Sequence, residues 1–369
     1  MTERYIGLMS GTSLDGVDGV IADFGSGRLQ VLAHVHQPFA AHLREEFLAL
    51  NSPGNDELAR AARAGHALAR LYAAIVGQLL GDGGLQAPDI RAIGAHGQTV
   101  RHRPGGEAGY TLQVNAPAVL AELCGIDVVA DFRSRDVAAG GQGAPLVPAF
   151  HRAVFGRAGE AGAVLNVGGI GNLTAWAAGD GPTIGFDCGP GNALMDHWCQ
   201  RHRHQPFDAG GAWAASGRVD TALLAQLMAD PYFAQPAPKS TGRDLFNPEW
   251  LEEQLSRTGH ALRAEDVQAT LCELTAQSCI DAVQAHAGAA SELLVCGGGA
   301  FNDELMRRLA AGLPGLRVRR SDERGLPASE VEAAAFAWLA RAHVRREAGN
   351  LVSVTGARGA RVLGALYPK

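Results

Sequence analysis

The chain has 369 residues, enough for about two domains. Hydrophobic residues make up 47% and charged residues 19%, which excludes a disordered chain. With 38 acidic against 32 basic residues and a net charge of −6, it lacks the basic footprint of a nucleic-acid-binding protein.

Tyr5–Leu8 and Val17–Asp23 read as short strands joined by the loop Met9–Gly16. Leu43–Leu50 predicts a short helix, and Glu57–Leu80 a long one with apolar residues three and four apart. Ile90–Ala95 is an apolar strand feeding the polar loop His96-Gly97-Gln98-Thr99. Thr111–Val114 and Val128–Ala130 predict strands on either side of a helix at Ala116–Leu123. After the glycine-rich stretch Ala138–Gly143, the plan repeats. Ala163–Val167, Asn172–Trp176 and Thr183–Phe186 predict three closely spaced strands, and Leu293–Cys296 a buried one. Helices are expected at Asn192–Arg203, Thr221–Met228, Ala264–His286, from Asp303 to Leu309, and at Glu330–Arg346. Strands alternating with helices in both halves predict two related α/β lobes. Their expected bounds are 1–135, completed by 350–369, and 136–349.

The six cysteines form no CxxC pair and are expected to be reduced. The opening residues lack a basic region followed by an apolar run, and no long uncharged apolar stretch occurs. The expectation is a cytoplasmic protein with no membrane partner.

Three glycine-rich turns carry the candidate chemistry. In Ser10-Gly11-Thr12-Ser13-Leu14-Asp15-Gly16-Val17-Asp18, glycines let backbone amides approach an anion and hydroxyls add donors. Asp15 and Asp18 are candidates to hold a hydrated Mg²⁺, although the same composition suits an ordinary hairpin turn. It is not a Walker loop, since no lysine precedes Lys239. In Gly185-Phe186-Asp187-Cys188-Gly189-Pro190-Gly191-Asn192, a carboxylate at a strand end before a helix suits a base beside bound phosphate. The competing reading of Asp187 is a helix cap. Gly168, Gly169 and Gly171 stand where a second phosphate hairpin belongs, or form a plain hairpin turn. Gly297, Gly298 and Gly299 let a flat ligand lie on bare backbone, or simply connect strand to helix. His96, Gln98, Thr99 and Arg133 are candidate substrate contacts, because an arginine fork matches a carboxylate. Arg133, Arg135 and Asp136 also read as an ion-pair network, and Lys239–Asp244 as a solvated polar loop.

The segments MSGTSLDGVD, AHGQTVRHRP, LQVNAPAVLAELCGIDVVADFRSRDVAAGGQGAPLVP, LNVGGIGNLT, GFDCGPGNALMD, KSTGRDLFNPEWL and CGGGAFNDELM run in order through nearly the whole chain. In these the sequence resembles the anhydro-N-acetylmuramic acid kinase family. The resemblance implies two actin-like ATPase (ribonuclease H-like) lobes with a central cleft that closes over ATP. It implies conversion of 1,6-anhydro-N-acetylmuramic acid, ATP and water to N-acetylmuramic acid 6-phosphate and ADP, in peptidoglycan recycling. By motif match, residues 11–18 would form the ATP phosphate loop and Asp187 the catalytic base. Gly168–Gly171 would form a second phosphate hairpin, and Gly297–Gly299 the nucleotide-base side. Arg133 would meet the lactyl carboxylate, Mg²⁺ would accompany ATP, and a homodimer is the family-level expectation. Three alternatives stay open: another sugar kinase using a free hydroxyl, a glycosidase pairing Asp187 with Asp136, and a nucleotide-gated binding protein.

Overall fold

The computed structural model describes residues 3–11, 13–179, 181–242 and 245–369. The described residues form thirteen strands: β1 (Arg4–Met9), β2 (Gly16–Asp23), β3 (Gln30–Pro38), β4 (Ile93–Ala95), β5 (Gln98–Arg103), β6 (Tyr110–Val114), β7 (Val128–Ala130), β8 (Gly162–Val167), β9 (Ile170–Trp176), β10 (Thr183–Pro190), β11 (Glu292–Cys296), β12 (Arg317–Arg320) and β13 (Ala365–Tyr367). Contacts divide the chain into two compact units, Met1–Val154 with Glu330–Lys369, and Phe155–Ser329.

The first unit is built on a six-stranded sheet in the order β13-β7-β4-β1-β2-β3. β1, β2 and β3 pair antiparallel, and β1, β4 and β7 pair parallel. Helix Glu57–Asp82 buries one apolar stripe, including Leu68, Tyr72, Ile75 and Leu79, against this sheet. Small residues set the packing: a Cβ on Gly19 would stand 2.6 Å from Ile75.

The second unit repeats the plan. Its five-stranded sheet runs β10-β9-β8-β11-β12, with the first three strands antiparallel and β8, β11 and β12 parallel. Both sheets thus have a hairpin-linked antiparallel trio followed by parallel strands, the ribonuclease H-like order. Helix Ala264–His286 buries residues on almost every side, which suits a central core helix rather than a surface one.

The unit bounds differ from those expected from sequence. The second unit begins at Phe155, and the first recovers everything from Glu330 onward. Helix Val331–Val344 explains the difference. Its alanine-rich backbone lies directly on the first sheet, where a Cβ at Gly7 would fall 1.9 Å from the Ala333 carbonyl oxygen. A Cβ at Gly94 would fall 2.1 Å from the Phe336 carbonyl oxygen. Edge strands β3 and β12 escape the sequence reading because both are half-exposed and carry polar side chains. The six cysteines are free thiols, five of them buried. Among the described residues no helix is long and apolar enough to cross a membrane.

Candidate active site

In the first unit the β1–β2 turn is tied to the segment after β4. Ser10 is buried, and its hydroxyl donates to the Gly97 carbonyl at 2.9 Å. The Gly97 amide donates to the Tyr72 hydroxyl oxygen at 3.2 Å. Tyr72 is therefore the donor in its 3.2 Å contact with Ser10 Oγ. Gln98 Nε2 donates to the Gly11 carbonyl at 3.1 Å, and its own Oε1 is buried with no hydrogen-bond partner among the described residues. Leu14 holds a left-handed φ of 57° while its side chain is buried, a strained conformation common at ligand-binding turns. A Cβ on Gly11 would meet nothing closer than 3.4 Å, so its backbone is open. Gly16 is different: a Cβ there would strike the Gln37 carbonyl at 2.4 Å, so its glycine serves β2–β3 pairing. Val17 is a buried core residue. Thr12 lies outside the described residues.

The two aspartates of this turn do not act together. Asp15 is exposed and accepts from the Ser13 hydroxyl at 2.7 Å. Asp18 Oδ1 instead contacts His34 Nε2 at 3.0 Å and His36 Nδ1 at 3.1 Å on β3. The hydrogen bond to Asp18 holds His34 above the usual histidine range. Expected as a Mg²⁺ ligand, Asp18 is engaged in this cross-strand cluster. Among the described residues no three His, Cys, Asp or Glu side chains converge as a metal site.

His96 and Arg133 form one assembly. An arginine can only donate, so the contacts of Arg133 Nε and Nη2 with His96 Nε2, at 3.1 and 3.0 Å, require a bare Nε2. The proton is then on Nδ1, donated to the Ser10 carbonyl at 3.1 Å. Burial, reinforced by the Arg133 charge, pushes the imidazole down to about 3, so it stays neutral. Arg133 Nη1 donates to the Gly143 carbonyl at 2.8 Å. A guanidinium held by neutral acceptors keeps its charge available to an anion. Burial lowers it only to about 10. His96, expected as a substrate contact, is 4% exposed and instead links Arg133 to the β1–β2 turn. Thr99 Oγ1 accepts from Gln113 Nε2 across the β5–β6 pair.

Asp136 is fully buried. Its Oδ2 accepts from the Gly143 amide at 2.8 Å, and its Oδ1 from Asn350 Nδ2 at 2.6 Å and Thr355 Oγ1 at 2.8 Å. It braces the segment that carries the Arg133 acceptor.

In the second unit Asp187 lies on edge strand β10, where pairing with β9 slips between Asp187 and Gly189. Such bulges re-aim a side chain. Asp187 Oδ2 accepts from the Thr241 amide at 2.9 Å and from Ser240 Oγ at 3.1 Å. Burial pushes the carboxyl up to about 6, while these two donors pull it back by favouring the ionised form. The helix cap is set aside: the carboxylate binds the 240–241 loop, and the next helix begins at Ala193. Cys188 is buried beside Cys279, whose contact and the surrounding apolar atoms hold its thiol well up.

Gly168 and Gly169 have open backbones, with no atom within 3.7 Å of an added Cβ. Their carbonyls accept from the amides of Asn192, Gly191 and Ala193. A Cβ on Gly171 would meet Cys279 Sγ at 3.2 Å. At the third turn, a Cβ on Gly297 would fall 2.4 Å from Asn166 Oδ1, and one on Gly299 2.4 Å from Val167. Those two glycines are required by packing against the end of β8. Only Gly298 remains open, with Asn192 Nδ2 at 3.3 Å. Sequence reasoning missed Tyr72 and Asn350, which carry no local signal, and gave no site role to Gly143, at the end of the glycine-rich stretch, or to Thr355. Ser240 and Thr241 stood within the polar loop already noted, and Arg243 and Asp244 of that loop lie outside the described residues.

Two ribonuclease H-like units, each opening on a hairpin with an open glycine backbone, with a carboxylate at the bulge of β10 in the second, define the actin-like fold class. The family model described as anhydro-N-acetylmuramic acid kinase matches residues 3–369. The chain belongs to the anhydro-N-acetylmuramic acid kinase family. It is 64% identical over 372 residues to the anhydro-N-acetylmuramic acid kinase of Variovorax paradoxus (strain S110), covering 99% of both chains. It is 60% identical to that of Cupriavidus pinatubonensis, covering 100% of this chain and 99% of that one. Among solved structures, (R)-2-hydroxyglutaryl-CoA dehydratase component A of Acidaminococcus fermentans aligns with a TM-score of 0.48. The alignment has 13% identity and covers 91% of this chain and 96% of that chain.

Proposed function

We propose that this kinase opens 1,6-anhydro-N-acetylmuramic acid with water and phosphorylates O6 from ATP, giving N-acetylmuramic acid 6-phosphate and ADP in peptidoglycan recycling. The observation that carries the mechanism is Asp187: a carboxylate near pKa 6, aimed by a bulge and held by one oxygen. The anhydro bridge joins C1 to O6, so the sugar has no free 6-hydroxyl. Asp187 takes a proton from water as that water bonds to C1. The C1–O6 bond breaks, O6 bonds to the γ-phosphorus, and ADP leaves. A base with pKa near the working pH suits this proton transfer.

Mg²⁺ bound with ATP would supply charge neutralisation at the transferring phosphoryl group. Asp15 is the remaining carboxylate candidate, through water. The open backbones at Gly11, Gly168 and Gly169 supply amides for phosphate oxygens, and Gly298 is left for the nucleotide. Arg133 takes the lactyl carboxylate through donors not committed to His96 or Gly143. The glycosidase reading loses its second carboxylate, since the Asp136 oxygens are buried and bonded to three donors. We extend the proposal to a cytoplasmic homodimer, which light scattering tests.

The deciding experiment supplies Mg-ATP and the anhydro sugar in ¹⁸O-labelled water. Label at C1 with phosphate at O6 is expected. Phosphate transfer without label would instead mean an ordinary sugar kinase, and turnover without ATP a glycosidase.

A further inference from the structure

Asp187 is mounted on the 232–241 segment at four points. Its amide donates to the Lys239 carbonyl at 3.0 Å, and its carbonyl accepts from the Tyr232 hydroxyl at 2.7 Å. Its carboxylate takes the Thr241 amide and the Ser240 hydroxyl, both on Oδ2. The mount itself is stiff. Lys239 Nζ donates to the carbonyls of Tyr232 and Phe233 at 3.1 and 3.2 Å, and sits 4.6 Å from the Tyr232 ring centre. Tyr232 packs edge-on against Phe246, which packs edge-on against Trp250. Trp250 Nε1 in turn donates to Asp230 Oδ2 at 3.0 Å.

We infer that Ser240 is a positioning residue for the reaction: its hydroxyl, fixed by this aromatic mount, occupies Oδ2 of Asp187 and leaves Oδ1 to take the proton. The inference rests on Asp187 being the base. Among the described residues both donors to the carboxylate, the Ser240 hydroxyl and the Thr241 backbone amide, go to one oxygen, which divides the carboxylate into a held atom and a working atom. A donor to the charged form favours ionisation, and here it opposes the burial that disfavours it. Ser240 is exposed, so its hydroxyl needs no desolvation in order to act.

Among the described residues, the other titratable groups at this mount are Cys188 with its neighbour Cys279, Tyr232 and Lys239. Cys188 and Cys279 are buried thiols, with Cys188 pushed well above its ordinary value. Burial also raises the Tyr232 phenol far above neutrality. Lys239, lowered from its ordinary value by burial, hydrogen-bonds two carbonyls.

The test is the pH dependence of kcat/KM for the sugar in wild type, Ser240→Ala and Ser240→Thr, with Asp187→Asn as control. Loss of one hydrogen bond to a charged, partly exposed carboxylate should move the acid limb of Ser240→Ala upward by about 0.5–1 pH unit. Its kcat at pH 9, where the base is ionised in either enzyme, should fall by about 3–10-fold through the lost aim, and Ser240→Thr should restore both limb and rate because it keeps the hydroxyl. The ¹³Cγ resonance of Asp187, assigned by its disappearance in Asp187→Asn, should show the same shift without any turnover. An unmoved limb and resonance would overturn the inference. So would an equal loss of rate at every pH, which would make Ser240 a substrate contact. Failure of the underlying reading looks different: Asp187→Asn would stay active while the resonance still titrated.

Discussion

Asp187→Asn separates chemistry from stability in one substitution. In the proposed mechanism Asp187 both takes the proton and aims the water; general-base catalysis contributes about 10²–10⁴-fold, so kcat should fall by about 10³ or more. Binding of ATP and sugar should stay within about tenfold. The fold should gain. The folded carboxyl titrates at about 6 against an ordinary 3.8. Below 3.8 it is protonated whether folded or unfolded. Between the two values only the unfolded chain ionises, so stability falls as pH rises, and above 6 the penalty is constant. Two pKa units correspond to about 3 kcal/mol; partial exposure reduces this to about 1–2 kcal/mol. Asparagine removes the penalty, which predicts a Tm higher by about 2–8 °C at pH 8 and no difference below pH 4. Steady-state kinetics and calorimetry at both pH values measure the two effects. More than a tenth of wild-type kcat would refute the base. A lower Tm at pH 8 would refute the desolvated carboxylate and return Asp187 to a structural role.

Arg133→Ala should raise the sugar KM by about 10–100-fold with kcat nearly unchanged, since a carboxylate contact is present in ground and transition states alike; a change confined to the ATP KM would move Arg133 to the nucleotide. Asp136→Ala should cost about 3–5 kcal/mol by leaving the Gly143 amide, Asn350 and Thr355 without their buried acceptor. Denaturant unfolding checks it, and a loss under 1 kcal/mol would mean water replaces the carboxylate. Gly7→Ala should destabilise by about 2–4 kcal/mol, because its methyl would overlap the Ala333 carbonyl and the helix must move off the sheet. An unchanged Tm would show that this contact can relax.

What the sequence by itself determined is local and periodic. Helices Thr221–Met228 and Ala264–His286 have the bounds that apolar spacing predicts, because a repeating buried face is written into consecutive residues. The glycine-rich turns after β1 and between β8 and β9 were legible for the same reason, since backbone freedom depends on immediate neighbours. Strand β10 nevertheless runs on to Pro190, past the predicted end at Phe186, because an edge strand tolerates a bulge and a proline. What only the tertiary structure decided is partnership. Asp18 and Asp15 are three residues apart in sequence, yet Asp18 is claimed by His34 and His36, since strand pairing brings β3 alongside β2. His96 and Arg133 lie far apart in the chain and meet through the parallel pairing of β4 with β7. The segment from Glu330 belongs to the first unit because bare glycines at Gly7 and Gly94 admit a helix backbone. No residue within that helix records which sheet it will cover. Periodicity tells a chain which face to bury, and only the packed partners tell it against what.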